Sequence, residues 1–309
     1  MQPKWGANEE FQAGLASLIL RASFEGCIMF QKNLAQTIHD NVLSALAEDI
    51  GSGDLTANLI PADAQSRATI ITRQQAVLCG TAWFEGCFLS LDPTCQINWL
   101  VKEGELAQAD QVLCEIKGNA RAMLSAERPA LNFLQTLSAT ATLTQRYVAA
   151  IAGTRAKIMD TRKTLPSLRL AQKYAVTVGG GHNQRIGLFD GVLIKENHIA
   201  AAGGIAAVMK QALAITPTGT SIQIEVESFD ELNQALDAGA KLILLDNFSI
   251  DDTRRAVELA AGRAELEASG GISFENVRLV AETGVDRISI GALTKDIIAI
   301  DLSMRFAAP

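Results

Sequence analysis

The chain has 309 residues, 48% of them hydrophobic and 20% charged. At roughly 150 residues per domain this is length for about two domains with substantial cores, and the balance excludes a disordered or fibrous chain. Lysine plus arginine number 27 against 34 aspartate plus glutamate, a net charge of −7, which argues against a general nucleic-acid or anionic-membrane surface but leaves room for a local basic pocket.

Ala13–Leu20 is the most apolar stretch near the start, too short to span a bilayer and preceded by Glu9 and Glu10, so it reads as neither anchor nor secretion signal. Residues 1–28 read as an extension of open role. Leu34, Ile38, Val42, Leu43 and Leu46 follow at helical spacing, predicting a helix from about Met29 with one buried face. Between Thr56 and Lys117 the apolar runs are short (Ala68–Thr72, Ala76–Cys79, Ile97–Val101) and separated by glycine, proline and aspartate, so this stretch reads as mainly β. Leu131, Leu134 and Leu137, set among small residues, predict a long, largely buried helix over 126–150 at a domain junction.

Beyond Gly153 a short apolar run, a polar or glycine-rich turn and a helix-like segment recur. The runs are Ala156–Met159, Gly191–Ile194, Ser221–Ile224, Lys241–Leu245, Ala264–Leu266 and Val285–Ile290. Repetition of βα units predicts a parallel sheet with helical crossovers, here a barrel. The five cysteines (Cys27, Cys79, Cys87, Cys95, Cys114) are odd in number, lack C-x-x-C spacing and sit mostly among apolar residues, so they read as reduced structural thiols of an intracellular protein. The three histidines, His39, His182 and His198, show no zinc spacing.

Chemistry changes abruptly where each run ends: Asp160 with Arg162 and Lys163, then Lys195, Glu225, Asp246, Ser269-Gly270-Gly271 and Gly291. In a βα barrel these ends converge on one face, where active sites are built. Arg162, Lys163, Arg185 and Lys195 against Glu225 and Asp246 describe a pocket for a ligand with several anionic groups, since charge-assisted bonds contribute roughly 1.5–3 kcal/mol each. The two acids can hold Mg²⁺, accept from ribose hydroxyls, steady a developing positive charge on a sugar carbon, or simply pair with the bases. Ser269-Gly270-Gly271 and Gly291-Ala292 leave backbone N–H groups open to a phosphate, though a tight turn explains paired glycines equally well. Gly179-Gly180-Gly181, leading to Arg185, reads either as a loop or as a close backbone approach to ligand. Lys163 or Lys195 as a Schiff-base nucleophile is a minor alternative.

These residues resemble the quinolinate phosphoribosyltransferase family. The resemblance rests on DTRKTLPSLR from Asp160 to Arg169, QKYAV from Gln172, Asn183 and Arg185 after the glycine triplet, and LIKENH ending at His198. It continues through EDIGSGDLT from Glu48, ERPALNFLQ from Glu127, LDNF from Leu245, EASGG from Glu267 and GALT from Gly291. It runs in order from about Asn33 to the C-terminus, and implies an N-terminal α/β sandwich (29–130, with 296–309 returning to it) and an incomplete α/β barrel (131–295). The implied reaction joins quinolinate and phosphoribosyl pyrophosphate, with Mg²⁺, to give nicotinate mononucleotide, pyrophosphate and CO₂ in de novo NAD synthesis. It implies a cytoplasmic homodimer, in some members a hexamer, with shared active sites. Arg128 would then reach quinolinate in the neighbouring site, Thr161, Arg162, Lys163, Arg185 and Lys195 would line the quinolinate and pyrophosphate region, Glu225 and Asp246 would face ribose and metal, and Ser269, Gly270, Gly271, Gly291 and Ala292 would cradle the 5′-phosphate.

Two departures from the family pattern stand out. Gln184 occupies a position where histidine is usual, with a histidine two places earlier at His182; the expectation is that Gln184 keeps a contact to a substrate carboxylate or that His182 swings in. Ser167 stands where glycine is common, and a loop shift or simple tolerance is expected. A paralogue taking another aromatic carboxylate, a silent binding protein on the same scaffold, and an aldolase or isomerase by fold analogy are the alternatives. Retention of both acids and the whole basic set speaks against a silent protein.

Overall fold

The spacing of Leu34, Ile38, Val42 and Leu46 produces the helix that its period implies. In the computed structural model, which describes residues 27–307, helix α1 (Cys27–Ile50) buries all four, with Leu43 only half-buried. The helix begins two residues before Met29; the rest of the 1–28 extension, and the Ala13–Leu20 stretch, lie outside the described residues.

By its internal contacts the chain divides into two units. The first takes the chain up to Thr142, Pro166–Val178 and the residues from Ile298 onward; the second takes Leu143–Leu165 and Gly179–Ile297. The division thus falls after Thr142 of the long helix rather than after residue 130, the return begins at Ile298 rather than 296, and Pro166–Val178, expected with the barrel, groups with the first unit.

In the first unit, β1 (Gln65–Thr72), β3 (Gln96–Trp99), β5 (Val112–Asn119) and β12 (Leu302–Phe306) form an antiparallel sheet in the order β12-β1-β5-β3, and a short pair joins β2 (Ala76–Val77) to β4 (Leu106–Ala107). Alternation along β1 turns Ala68, Ile70 and Thr72 inward. They join a core with α1, with α2 (Thr81–Leu91) and with the first part of α3 (Ala120–Ala150), whose Leu131, Leu134 and Leu137 are buried. The mainly β reading of 56–117 missed α2. Trp83, Phe84, Cys87 and Phe88 are buried and Ala82, Leu89 and Leu91 are partly buried against the same core, so apolar residues lie on most sides of the helix and leave only a weak amphipathic period to detect. Glu103 fixes its start, accepting from the Gly80 and Thr81 N–H groups at 2.8 and 3.1 Å and from the Tyr174 hydroxyl of α4 (Arg169–Val178) at 3.1 Å. Burial pushes the Cys87 thiol up to about 12 and that of Cys95 to about 11, and Cys79 and Cys114 are also buried and free, as reduced structural thiols are.

The second unit holds six parallel strands: β6 (Lys157–Met159), β7 (Gly191–Ile194), β8 (Ser221–Val226), β9 (Leu242–Asp246), β10 (Glu265–Ser269) and β11 (Arg287–Ser289). Each corresponds to one expected run. Their order, β6-β11-β10-β9-β8-β7, is cyclic in sequence and interrupted only between β6 and β7: a barrel with one open seam. At that seam a single parallel bridge joins Met159 to His182 through His182 N–H to Ile158 O (2.8 Å) and Asp160 N–H to His182 O (3.0 Å). Helices α5 (Glu196–Ala202), α6 (Ile205–Ile215), α7 (Phe229–Asp237), α8 (Ile250–Ala260) and α9 (Val277–Ala281) fill the crossovers, and α10 (Ala292–Lys295) follows β11. Ser228 and Ser249 cap α7 and α8 by accepting from Glu231 and Asp252 N–H.

Strand register sorts the side chains. Ile158, Ile224, Ile243, Leu245, Leu266, Ala268 and Ile288 share one buried, apolar face, against which the helices pack. The opposite face carries Gln223 and Glu225 on β8, Asp246 on β9, Glu267 and Ser269 on β10, and Ser289 on β11. Gln223 bonds Glu267 across the intervening β9 at 3.0 Å, a reach that strands roughly 4.8 Å apart allow only on the concave side of a curved sheet. The polar face is therefore the lumen.

Candidate active site

The rim is built from the segments that follow the parallel strands. After β6, the Lys163 N–H donates to Thr161 Oγ1 at 3.1 Å, and the Lys163 carbonyl accepts from Thr294 Oγ1 at 2.8 Å. The Lys163 stem runs over Gly291: a Cβ added there would stand 3.4 Å from Lys163 Cδ. Gly291 is thus a place of close approach, and Gly291-Ala292 opens α10.

Lys195 and Glu225, at the ends of neighbouring strands, form an ion pair with Nζ to Oε2 at 2.6 Å. The Lys195 backbone N–H donates to His198 Nδ1 at 3.0 Å, fixing the start of α5. Asp246 lies within the field of this pair. Burial and the Glu225 charge raise its carboxyl above the ordinary aspartate range, opposed by Lys195 and Lys163. Two acids missed from sequence join them: Glu196 raises Asp246, and exposed Glu227 is itself raised, first by Glu196 and also by Asp246 and Glu225. Among the described residues no three metal-ligating side chains converge as a ready cation cage. The residues nonetheless fit an oxygen-bound cation that completes its shell with substrate oxygens: two neighbouring carboxylates, one strained by the other's charge, are relieved by added positive charge.

The turn after β10 is joined to Asp246 by Asn247. This residue is left-handed at φ 56°, donates its N–H to Ser269 O at 2.9 Å, and donates its carboxamide to Asp246 Oδ2 at 3.1 Å. Gly270, at φ +94°, has no room for a side chain, because a Cβ would fall 2.1 Å from Asn247 Oδ1. Asn276 donates to Gly271 O at 3.0 Å. Beside this turn is a cavity of about 220 Å³ walled by Leu245, Phe248 and Val280 and by Ser269, Gly270, Gly271 and Asn276 of the turn itself; among the described residues no charged side chain lines it, so the charged groups of the rim lie outside it.

On the other side of the rim, Arg185 donates to Gly191 O at 3.0 Å. Partial burial and the neighbouring Arg162 charge lower its pKa, with Asp190 opposing. Two guanidinium groups are thus held together against their repulsion, the signature of a site for an anion. Arg128 is on α3 in the first unit and exposed.

Gln184 and His182 both take part in the seam between β6 and β7. The Gln184 carboxamide donates to both oxygens of Glu267 and faces Gln223 Oε1 at 3.4 Å, while its backbone N–H donates to Asp160 Oδ1 at 2.8 Å. Its carboxamide N–H donors are turned into the lumen. The His182 backbone completes the seam, and burial together with Lys157 and Arg287, at the strand starts, lowers its pKa. Ser167 takes the left-handed φ of 63° that glycine adopts freely, and its carbonyl accepts from Asn41 Nδ2 at 3.4 Å. The serine therefore keeps the glycine-like conformation.

Sequence reasoning passed over Glu267, Gln223 and Ser289 as lumen residues. Their signal was present: SIQIEV, ELEAS and RIS alternate polar and apolar residues with period two.

Comparison with known proteins agrees over both units. The profile described as quinolinate phosphoribosyl transferase, N-terminal domain, matches residues 54–138, and that of the C-terminal domain matches residues 140–305. A probable nicotinate-nucleotide pyrophosphorylase (carboxylating) of Bacillus subtilis is 40% identical over 257 residues, covering 83% of this chain and 89% of its own. The nicotinate-nucleotide pyrophosphorylase (carboxylating) of Mycobacterium leprae is 39% identical, covering 86% and 95%. The solved nicotinate-nucleotide pyrophosphorylase of Francisella tularensis superposes with a TM-score of 0.85 at 47% identity, over 88% of this chain and 96% of that one. By sequence, by domain order and by fold, this chain belongs to the quinolinate phosphoribosyltransferase family.

Proposed function

We propose that the chain transfers phosphoribosyl from phosphoribosyl pyrophosphate to the ring nitrogen of quinolinate, with loss of CO₂, yielding nicotinate mononucleotide and pyrophosphate for NAD synthesis. The observations that carry this reading are that Lys163 and Lys195 act on Asp246 beside Glu225, and that Arg162 and Arg185 lie within reach of each other's charge. Quinolinate brings two carboxylates and the co-substrate several phosphate oxygens, enough anionic partners to offset the repulsion within the basic set.

In this reading Arg162 and Arg185 grip quinolinate, with Thr161 ordering the turn that carries Arg162, and Lys163 and Lys195 take the pyrophosphate. The N–H groups of Ser269, Gly270, Gly271, Gly291 and Ala292 take the 5′-phosphate. As the C1′–pyrophosphate bond breaks, positive charge grows on the ribose carbon and ring oxygen; Glu225 and Asp246 stabilise it while the quinolinate nitrogen closes on C1′. Catalysis is then mainly positioning plus electrostatics. Glu225 and Asp246 would hold Mg²⁺ together with substrate oxygens, and the metal would supply charge neutralisation on the departing pyrophosphate. We further propose a cytoplasmic homodimer in which Arg128 completes the neighbouring subunit's site. Four buried free thiols suit a reducing compartment, and among the described residues no single helix is long and apolar enough to cross a membrane.

Purified protein supplied with Mg²⁺, phosphoribosyl pyrophosphate and quinolinate should release CO₂ and nicotinate mononucleotide in equal amounts. Binding of the phosphoribosyl donor without product would instead identify a paralogue for a different aromatic acid.

A further inference from the structure

The seam between β6 and β7 has no strand ladder, yet both halves of the basic arc spring from it. Arg162 lies two residues beyond Asp160, and Arg185 directly follows Gln184. One backbone bridge, at Met159 and His182, is followed at Gln184 by two hydrogen-bond connections of another kind. The backbone N–H of Gln184 donates to fully buried Asp160, and its carboxamide donates to Glu267, which is 1% exposed. Gln184 is therefore clamped between two buried carboxylates.

Glu267 takes its hydrogen bonds from neutral donors on three segments: Gln184 from the seam, Gln223 from β8 and Ser289 from β11. Burying a carboxylate among neutral donors is costly compared with an apolar filling, and the sheet does not require it, because the ladder hydrogen bonds are made by backbone alone. What the arrangement does supply is an acceptor within the lumen that fixes which way the Gln184 carboxamide points, one residue before Arg185.

We propose that Glu267 is a positioning residue: through Gln184 it pins the open seam and so sets the spacing of Arg162 and Arg185 for the two carboxylates of quinolinate. The proposal deepens, and rests on, the reading of the rim as a quinolinate site. Glu267 itself touches no substrate. Its effect should fall on the aromatic acid and leave the phosphoribosyl half of the site nearly unchanged.

The test pairs Glu267→Gln with the exchanged pair Gln184→Glu/Glu267→Gln, which restores one carboxylate and one carboxamide in swapped places. In Glu267→Gln the KM for quinolinate should rise roughly tenfold, the scale of coupling between directly bonded residues, with kcat and the KM for phosphoribosyl pyrophosphate little changed. The exchanged pair should recover most of that loss. Amide hydrogen exchange over residues 182–186 should quicken in the single variant and slow again in the exchanged pair. A single variant with unaltered exchange over 182–186, or with both KM values rising together, overturns the proposal, as does an exchanged pair that folds with wild-type thermal stability and recovers nothing. Failure of the wild-type protein to use quinolinate would refute the reading of the rim, whereas the exchange measurement would still decide whether Glu267 pins the seam.

Discussion

Asp246 shows how neighbours set the working range of a single carboxyl. Burial and Glu225 raise its pKa, and Lys195 and Lys163 hold it down. The carboxylate is the form that stabilises a cationic sugar, so activity should fall as pH drops through that raised pKa, placing the acid limb above an ordinary aspartate's. Lys195→Met removes one of the two opposing cations: the limb should move to higher pH in a profile of kcat/KM, and loss of a charge-assisted bond should cost roughly 1.5–3 kcal/mol in that parameter at the optimum. A limb that stays in place would mean that Asp246 does not govern it. The acids and bases of the rim were readable as residue types, because charge stands out at the end of an apolar run. Their partners were not. Whether Gln184 faces a substrate or Glu267, 83 positions away along the chain, depends on strand order, which no local pattern contains.

The turn joining β10 to the rim shows the same limit at the next level. Paired glycines after a strand were visible, but their two explanations, tight turn and phosphate cradle, were equally open. The structure shows that Gly270 needs both a left-handed backbone and an absent side chain, because Asn247 fills the space where a Cβ would stand. Gly270→Ala should therefore displace Asn247 or the turn at a cost of roughly 1–3 kcal/mol. If the turn grips the 5′-phosphate, the KM for phosphoribosyl pyrophosphate should rise about tenfold or more, with the KM for quinolinate less affected; equal changes in both would assign the glycine to folding alone. Strands and amphipathic helices were readable because they bury one face, as α1 and the six parallel strands do. Helix α2 was not, since apolar residues lie on most of its sides and only its length and its Glu103 cap distinguish it from a buried strand.

The chain passes between its two units four times, after Thr142, Leu165, Val178 and Ile297, and this interleaving was the least readable feature of all. Composition shifts mark where elements change, whereas the return of Leu302–Phe306 to pair with β1 is a long-range event; the resemblance to a family supplied it, and periodicity could not. The proposed sharing of sites is tested by subunit mixing. Arg128→Ala and Lys163→Ala are each expected to be inactive as homodimers, yet equal mixing after subunit exchange should restore roughly a quarter of wild-type activity, since half of the dimers are hybrids with one intact site each. No recovery after proven exchange would assign Arg128 to its own subunit. The open seam of the parallel sheet has a practical corollary. A position inside a closed ladder cannot be lengthened or reshaped without slipping the register of its neighbours, but residues 183 and 184 belong to a connector. Exchange at these two sites can thus alter how the seam is pinned, and with it the acceptor range, with the six-strand frame left intact as a fixed chassis.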